Sequence, residues 1–178
     1  QTCALPICCF DCRQVLYEES MFDGQKVSKS RIITSVDYSM VSMEAFEIYA
    51  TNHDIHVMDF VLKLDAYSYY MMNLLDYLIG NTDRHWGNWG FLVDNRTNQP
   101  VRLFDLMDLN QTFLAYDTPD GANCMTTGNR KMSQREAAVE AVKNIGLNQK
   151  DEIKDEWFKG REKEREMFWC RFGILKEQ

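Results

Sequence analysis

Between Tyr67 and Leu78 apolar residues recur at Tyr67, Tyr70, Met71, Leu74, Leu75 and Leu78. Steps of three and four place them on one face of an α-helix, so the segment predicts a helix. It is apolar over much of its surface, which predicts burial. Gly80 follows as its stop, since glycine takes the left-handed conformation that ends helices. Ser42–Thr51 predicts an earlier helix with Met43, Phe46, Ile48 and Tyr49 as apolar positions. Asp54 is placed to cap another over Ile55–Lys63. Elsewhere the period changes. Val15, Leu16 and Tyr17, the Asp23-Gly24 turn, then Val27, Ile32 and Ile33 predict a β-hairpin over Arg13–Thr34. Trp89–Val93, a turn at Asn95–Asn98 and Val101–Leu106 predict a second. Asp117–Gly128 is turn-rich and aperiodic. Ser133-Gln-Arg-Glu136 is a capping box ahead of a helix through Asn144, with Ala137, Ala138, Ala141, Val142 and Ile145 as its stripe. Asp151–Leu175 predicts two charged helices broken near Gly160, with Trp157, Phe168, Trp169 and Phe172 facing inward. The order is α+β, with the helical part dominant.

Composition narrows this picture. The chain has 178 residues, 45% of them hydrophobic, enough for one domain with a core or one and a half small lobes. A net charge of −7 argues against direct nucleic-acid binding, which needs a basic face. No apolar run is long enough to span a bilayer, so no membrane partner is expected. Six cysteines include a lone Cys9-Phe-Asp-Cys12, with no second pair at zinc-ribbon spacing. Reduced thiols and a cytoplasmic location are the expectation. His53 and His56 could make half a metal site, but no third histidine lies nearby and an exposed helix start is the simpler reading. Gln1–Ile7, "QTCALPI", resembles the translation of a sequencing-adapter oligonucleotide. Residues 1–7 are therefore set aside as non-native in the fold expectations.

The chemistry concentrates in "YLIGNTDRHWGNWGFL", Tyr77–Leu92. Asp83, His85 and Asn88 stand within six residues, between an apolar helix and a short apolar strand. Phosphoryl transfer needs a carboxylate to receive or orient the attacking hydroxyl, and oxygen ligands to hold magnesium against the phosphates. Asp83 and Asn88 supply the first parts. The hairpin returns to "RLFDLMDLNQTF", where Asp105 and Asp108 offer a second carboxylate. From spacing alone, Asp83 could equally be a loop residue capping neighbouring N–H groups.

These two stretches resemble the C-terminal domain of HipA-like serine/threonine kinases, and "LYEESMFDGQKVSKSRIIT" resembles the hairpin leading into that family's hinge. The resemblance covers roughly Leu16–Cys124 and implies a mainly helical kinase-like lobe that uses ATP and Mg²⁺. Asp83 matches the catalytic Asp, Asn88 a magnesium-binding Asn, and His85 a loop-structuring histidine. Asp108 is the favoured second metal carboxylate. Asp105 stands where the family often has Pro and is the alternative ligand. A phosphate-gripping loop and an ATP lysine have no counterpart here; Lys26 and Lys29 lie in the hairpin instead. The resemblance thus implies a truncated kinase, inactive alone: residues 8–34 as an N-lobe remnant and 35–178 as the C-lobe. Implied partners are a Ser/Thr-bearing protein substrate and an antitoxin-like or regulatory protein. Two other classes remain: a non-catalytic pseudokinase or binding module, and a carboxylate-metal hydrolase using Asp83, His85, Asp105 and Asp108.

Overall fold

The computed structural model describes residues 2–114, 116–128 and 131–178. The first predicted hairpin is present as β1 (Tyr17–Phe22) and β2 (Gln25–Ser30), joined at Asp23-Gly24, where both residues have positive φ. It forms a two-stranded antiparallel sheet of its own. A second sheet has the order β3 (Tyr38–Ser42), β4 (Gly90–Asp94), β5 (Gln99–Leu103), all antiparallel. β4 and β5 are the predicted second hairpin, and β4 is the central strand. β3 has no counterpart in the sequence expectations. It is five residues long, half-polar, and its partner lies some fifty positions downstream.

β3 runs directly into α1 (Met43–Asn52), because Ser42 caps the helix by accepting the Ala45 N–H at 3.2 Å. Met43 and Phe46 are buried, whereas Ile48 and Tyr49, expected on the apolar face, are 66% and 50% exposed. Phe46 meets Phe91 edge-on with centroids 4.7 Å apart and also packs against Phe60, which fastens α1 to β4.

α2 (Val57–Ile79) joins two segments that the sequence predicts as separate helices. Asp54 does not cap it. That residue sits in the preceding turn at φ 58°, and the cap position belongs to His56. The expected break survives as a kink at Asp65, whose φ/ψ of −155°/63° is not helical. The Asp65 carboxylate accounts for it. It accepts the Ser68 N–H at 3.2 Å, re-capping the second half, and it also takes the Leu103 N–H at 3.0 Å and Arg13 at 2.6 Å. From Met71 to Ile79 every residue of α2 is buried. Its neighbours are α3 (Gln134–Ile145), which presents buried Ala137, Ala138 and Ala141, and α4 (Glu162–Lys176). The capping box is formed on both sides, and its hydrogen bonds from Ser133 hold the Glu136 carboxyl below its ordinary pKa.

The C-terminal stretch contains one short 3-10 turn, Asp155–Phe158, and then α4, with Gly160 at φ 75° between them. Phe168 and Phe172 are buried; Trp157 and Trp169 are only half-buried. α4 also contributes Arg171, fully buried without a carboxylate partner among the described residues. It lies between the Tyr77 and Tyr116 rings, 5.0 and 4.3 Å from their centroids, and donates to the carbonyls of Tyr77 (2.5 Å) and Thr118 (2.6 Å). Burial pulls its pKa down. At the other end, a 3-10 helix spans Thr2–Cys9, and Ile7, inside the set-aside segment, is buried in the core.

Gly90 is where β4 leaves the polar loop. A Cβ there would stand 2.1 Å from the Val41 carbonyl oxygen and 2.8 Å from Ser42 Cα, both backbone atoms. Gly90→Ala is therefore expected to cost about 1–3 kcal/mol. Chemical denaturation of the two chains measures it.

Candidate active site

α2 ends at Gly80 in the left-handed conformation (φ 62°), as expected. A Cβ there would also collide with the Tyr116 ring at 2.2 Å, so the position excludes larger residues twice over. The chain then turns into the loop carrying Asp83, His85 and Asn88.

Arg84 organises this loop. It is 3% exposed and forms a two-pronged pair with Asp76 of α2: Nε to Oδ2 at 2.7 Å and Nη2 to Oδ1 at 2.9 Å. Its third nitrogen, Nη1, donates to the carbonyls of Asn88 (3.1 Å) and Met107 (2.6 Å). One guanidinium thus ties the helix, the far end of the loop and the segment holding Asp105 and Asp108. Buried Asn81 completes the anchor: it donates to Asp76 Oδ1 at 2.9 Å and accepts from Gln134 Nε2 of α3 at 2.6 Å.

The loop is closed from within. The Asn88 side-chain amide donates to the Asp83 carbonyl. The His85 N–H reaches the same carbonyl at 2.9 Å, and the Asn88 N–H reaches the His85 carbonyl at 3.1 Å. His85 Nδ1 accepts the Gly87 N–H at 3.0 Å, although the ring itself is exposed. α1 and the loop are joined by Met43 N–H to Trp89 O (2.9 Å) and Glu44 N–H to Trp86 O (3.0 Å). Trp86 Nε1 donates to Met125 O at 2.9 Å.

Asp83 is half-buried, and among the described residues nothing donates to its carboxylate. It is the backbone carbonyl of Asp83, not the side chain, that caps the loop. The local-capping role open at the sequence level is therefore not the one its carboxylate fills. Asn88 is 4% exposed, and its Oδ1 has no hydrogen-bond donor among the described residues. Asn88 and Asp105 line one small crevice with Arg84, about 20 Å³ in volume; Asp83 and Asp108 do not line it. Asp105 is paired with Arg102 at 2.6 Å. Asp108 is half-buried at φ 56°.

Among the described residues no three of His, Cys, Asp and Glu converge as a metal-ligand group. The four-residue cage required by the hydrolase reading is not assembled. His53 is spent on Tyr49, donating from Nδ1 to its carbonyl (2.8 Å) and stacking on its ring, and His56 on Asp59 (3.1 Å). Burial pushes the Cys12 thiol up to about 12, and Cys9 and Cys124 upward as well, so these thiols are protonated at neutral pH. No helix among the described residues is long and apolar enough to cross a membrane.

Sequence reasoning missed Arg84, Asp76 and Asn81. A signal was present: Asp76 lies inside the most apolar helix of the chain, and a buried carboxylate requires a cation. Arg84 is the first arginine after it.

The architecture is that of a kinase-like fold, α+β, with two small antiparallel sheets and four α-helices among the described residues. It is similar to the crystal structure of a Helicobacter pylori proinflammatory kinase, CtkA, with a TM-score of 0.60 over 98% of this chain and 85% of that one. Sequence identity is 13%, so the likeness is one of fold. No family model matches the sequence, and no curated protein does.

Proposed function

We propose that this chain carries the catalytic lobe of a HipA-like, Mg-ATP-dependent kinase that phosphorylates Ser or Thr of a protein. The observation that supports it most is the Arg84 clasp, which binds the Asp83–Asn88 loop to the Asp105–Asp108 segment. A phosphoryl-transfer site needs those two pieces held together.

Asp83 has a carboxylate free of hydrogen bonds among the described residues and takes the role of accepting the proton of the attacking hydroxyl. His85 holds the loop turn through Gly87. The residues fit magnesium: Asn88 Oδ1 is an orphaned buried oxygen acceptor, the ligand type this ion prefers. When bound, the ion neutralises charge on the phosphates of ATP. For the second oxygen ligand we place Asp105 ahead of Asp108, because it shares a crevice with Asn88. Arg102 balances the Asp105 charge there. Lys26 and Lys29 are engaged with Glu19 (3.8 Å) and Glu18 (3.2 Å) on the exposed hairpin and are given no phosphate role.

In a polypeptide that joins this chain to a phosphate-gripping loop and an ATP lysine, Asp105→Asn is expected to raise the magnesium concentration needed for half-maximal transfer about tenfold, and Asp108→Asn to change it less. Magnesium titrations of both variants decide the assignment. The reverse order would make Asp108 the ligand.

A further inference from the structure

Beside the loop lies a groove of about 480 Å³. Its walls include Glu44 and Glu47 from α1, His85, Trp86 and Gly87 from the loop, and Met125 from the turn-rich segment. The two glutamates are one helical turn apart and share a face of α1. Both are exposed, and neither has an ion-pair partner among the described residues. The position of Glu44 relative to the loop is fixed by its N–H bond to Trp86 O at 3.0 Å. A Cβ on Gly87 would come within 3.6 Å of Glu44 Oε2, so that carboxylate faces the loop. The groove therefore combines two negative charges, which no described residue is seen to pair, with apolar lining from Trp86 and Met125.

We propose that this groove receives an arginine or lysine side chain of the protein substrate, close to the residue that is phosphorylated. The charge and shape select that chemistry. The aliphatic stem of a basic residue lies along Trp86 and Met125 while its head reaches the carboxylates. Arginine gains further from the indole face. A glutamate or aspartate on the substrate would meet like charge. The inference rests on the kinase reading, since it takes the loop edge as the place where substrate lies. It narrows the substrate to proteins with a basic residue near the acceptor Ser or Thr.

The chain itself can be tested without ATP. Short fluorescein-labelled peptides with a central Ser are prepared with Arg at each flanking position in turn, alongside a version with Gln throughout. Anisotropy at low salt is expected to show at least one Arg peptide bound about tenfold more tightly than the Gln peptide. Trp86 emission should change on binding, and high salt should shrink the preference. The double variant Glu44→Gln/Glu47→Gln should lose the preference while keeping its circular dichroism. Equal binding of Arg and Gln peptides, no binding at all, or an intact preference in the double variant would each overturn the proposal. Asp83→Asn should keep the preference. Preference without phosphate transfer in the polypeptide joined to a phosphate-gripping loop and lysine would sink the kinase reading alone, and transfer that ignores Arg would sink this inference alone.

Discussion

Arg84→Ala is expected to lower the thermal midpoint by roughly 6–20 °C. The substitution leaves Asp76 buried, 3% exposed, without its cation. Breaking a buried pair from one side costs about 3–5 kcal/mol, because the remaining charge is stranded away from water. For a chain of this size each kcal/mol moves the midpoint by about 2–4 °C. The carbonyls of Asn88 and Met107 lose their donor as well. The partner experiment removes both charges. Arg84→Met with Asp76→Leu should recover much of the loss, since a well-packed apolar pair often replaces a buried ion pair at little cost. Calorimetry of the single and double variants separates the stranded charge from lost packing. A shift below 2 °C for Arg84→Ala would mean that the clasp does not hold the loop.

In a polypeptide that joins this chain to a phosphate-gripping loop and an ATP lysine, Asp83→Asn is expected to reduce phosphoryl transfer by about 10²–10⁴-fold, the range that a positioned base supplies. The fold should be untouched. The Asp83 side chain makes no hydrogen bond among the described residues, and the contacts that close the loop use its carbonyl, which Asn retains. Unfolding curves of the two chains should therefore coincide within about 0.5 kcal/mol. An equal loss of stability and activity would make Asp83 a structural residue. A full loss of transfer with unchanged stability separates the catalytic carboxylate from its scaffold.

Local signals were legible in the chain and distant ones were not. Gly80, the Asp23-Gly24 turn, the Ser133–Glu136 capping box and the apolar rows of α2 are each decided within a few residues, and each forms where expected. β3 was invisible because its five residues become a strand only against β4, and the carbonyls and amides that pair lie far apart in sequence. Asp65 shows the same limit. Its carboxylate kinks α2 because β5 and Arg13 come to it from elsewhere. Ile48 and Tyr49 look like core residues in a helical wheel, yet they stay exposed, because among the described residues no other element packs over that side of α1.

The site divides in the same way. The residue types of the loop, Asp83, His85 and Asn88, stand out in sequence because polar groups and glycines interrupt an apolar run. How they are held does not. Arg84 joins residues 76, 88 and 107, and only the folded chain brings these together. Asp105 shares a crevice with Asn88 and Asp108 does not, a matter of backbone path and not of spacing.

The most direct measurement supplies such a joined polypeptide with ATP labelled on its γ-phosphate and a Ser/Thr-bearing protein substrate, with magnesium and with the metal chelated. The account predicts label on Ser or Thr that requires magnesium and vanishes in Asp83→Asn. Label that persists in Asp83→Asn, or metal-dependent hydrolysis that proceeds without any nucleotide, would contradict it.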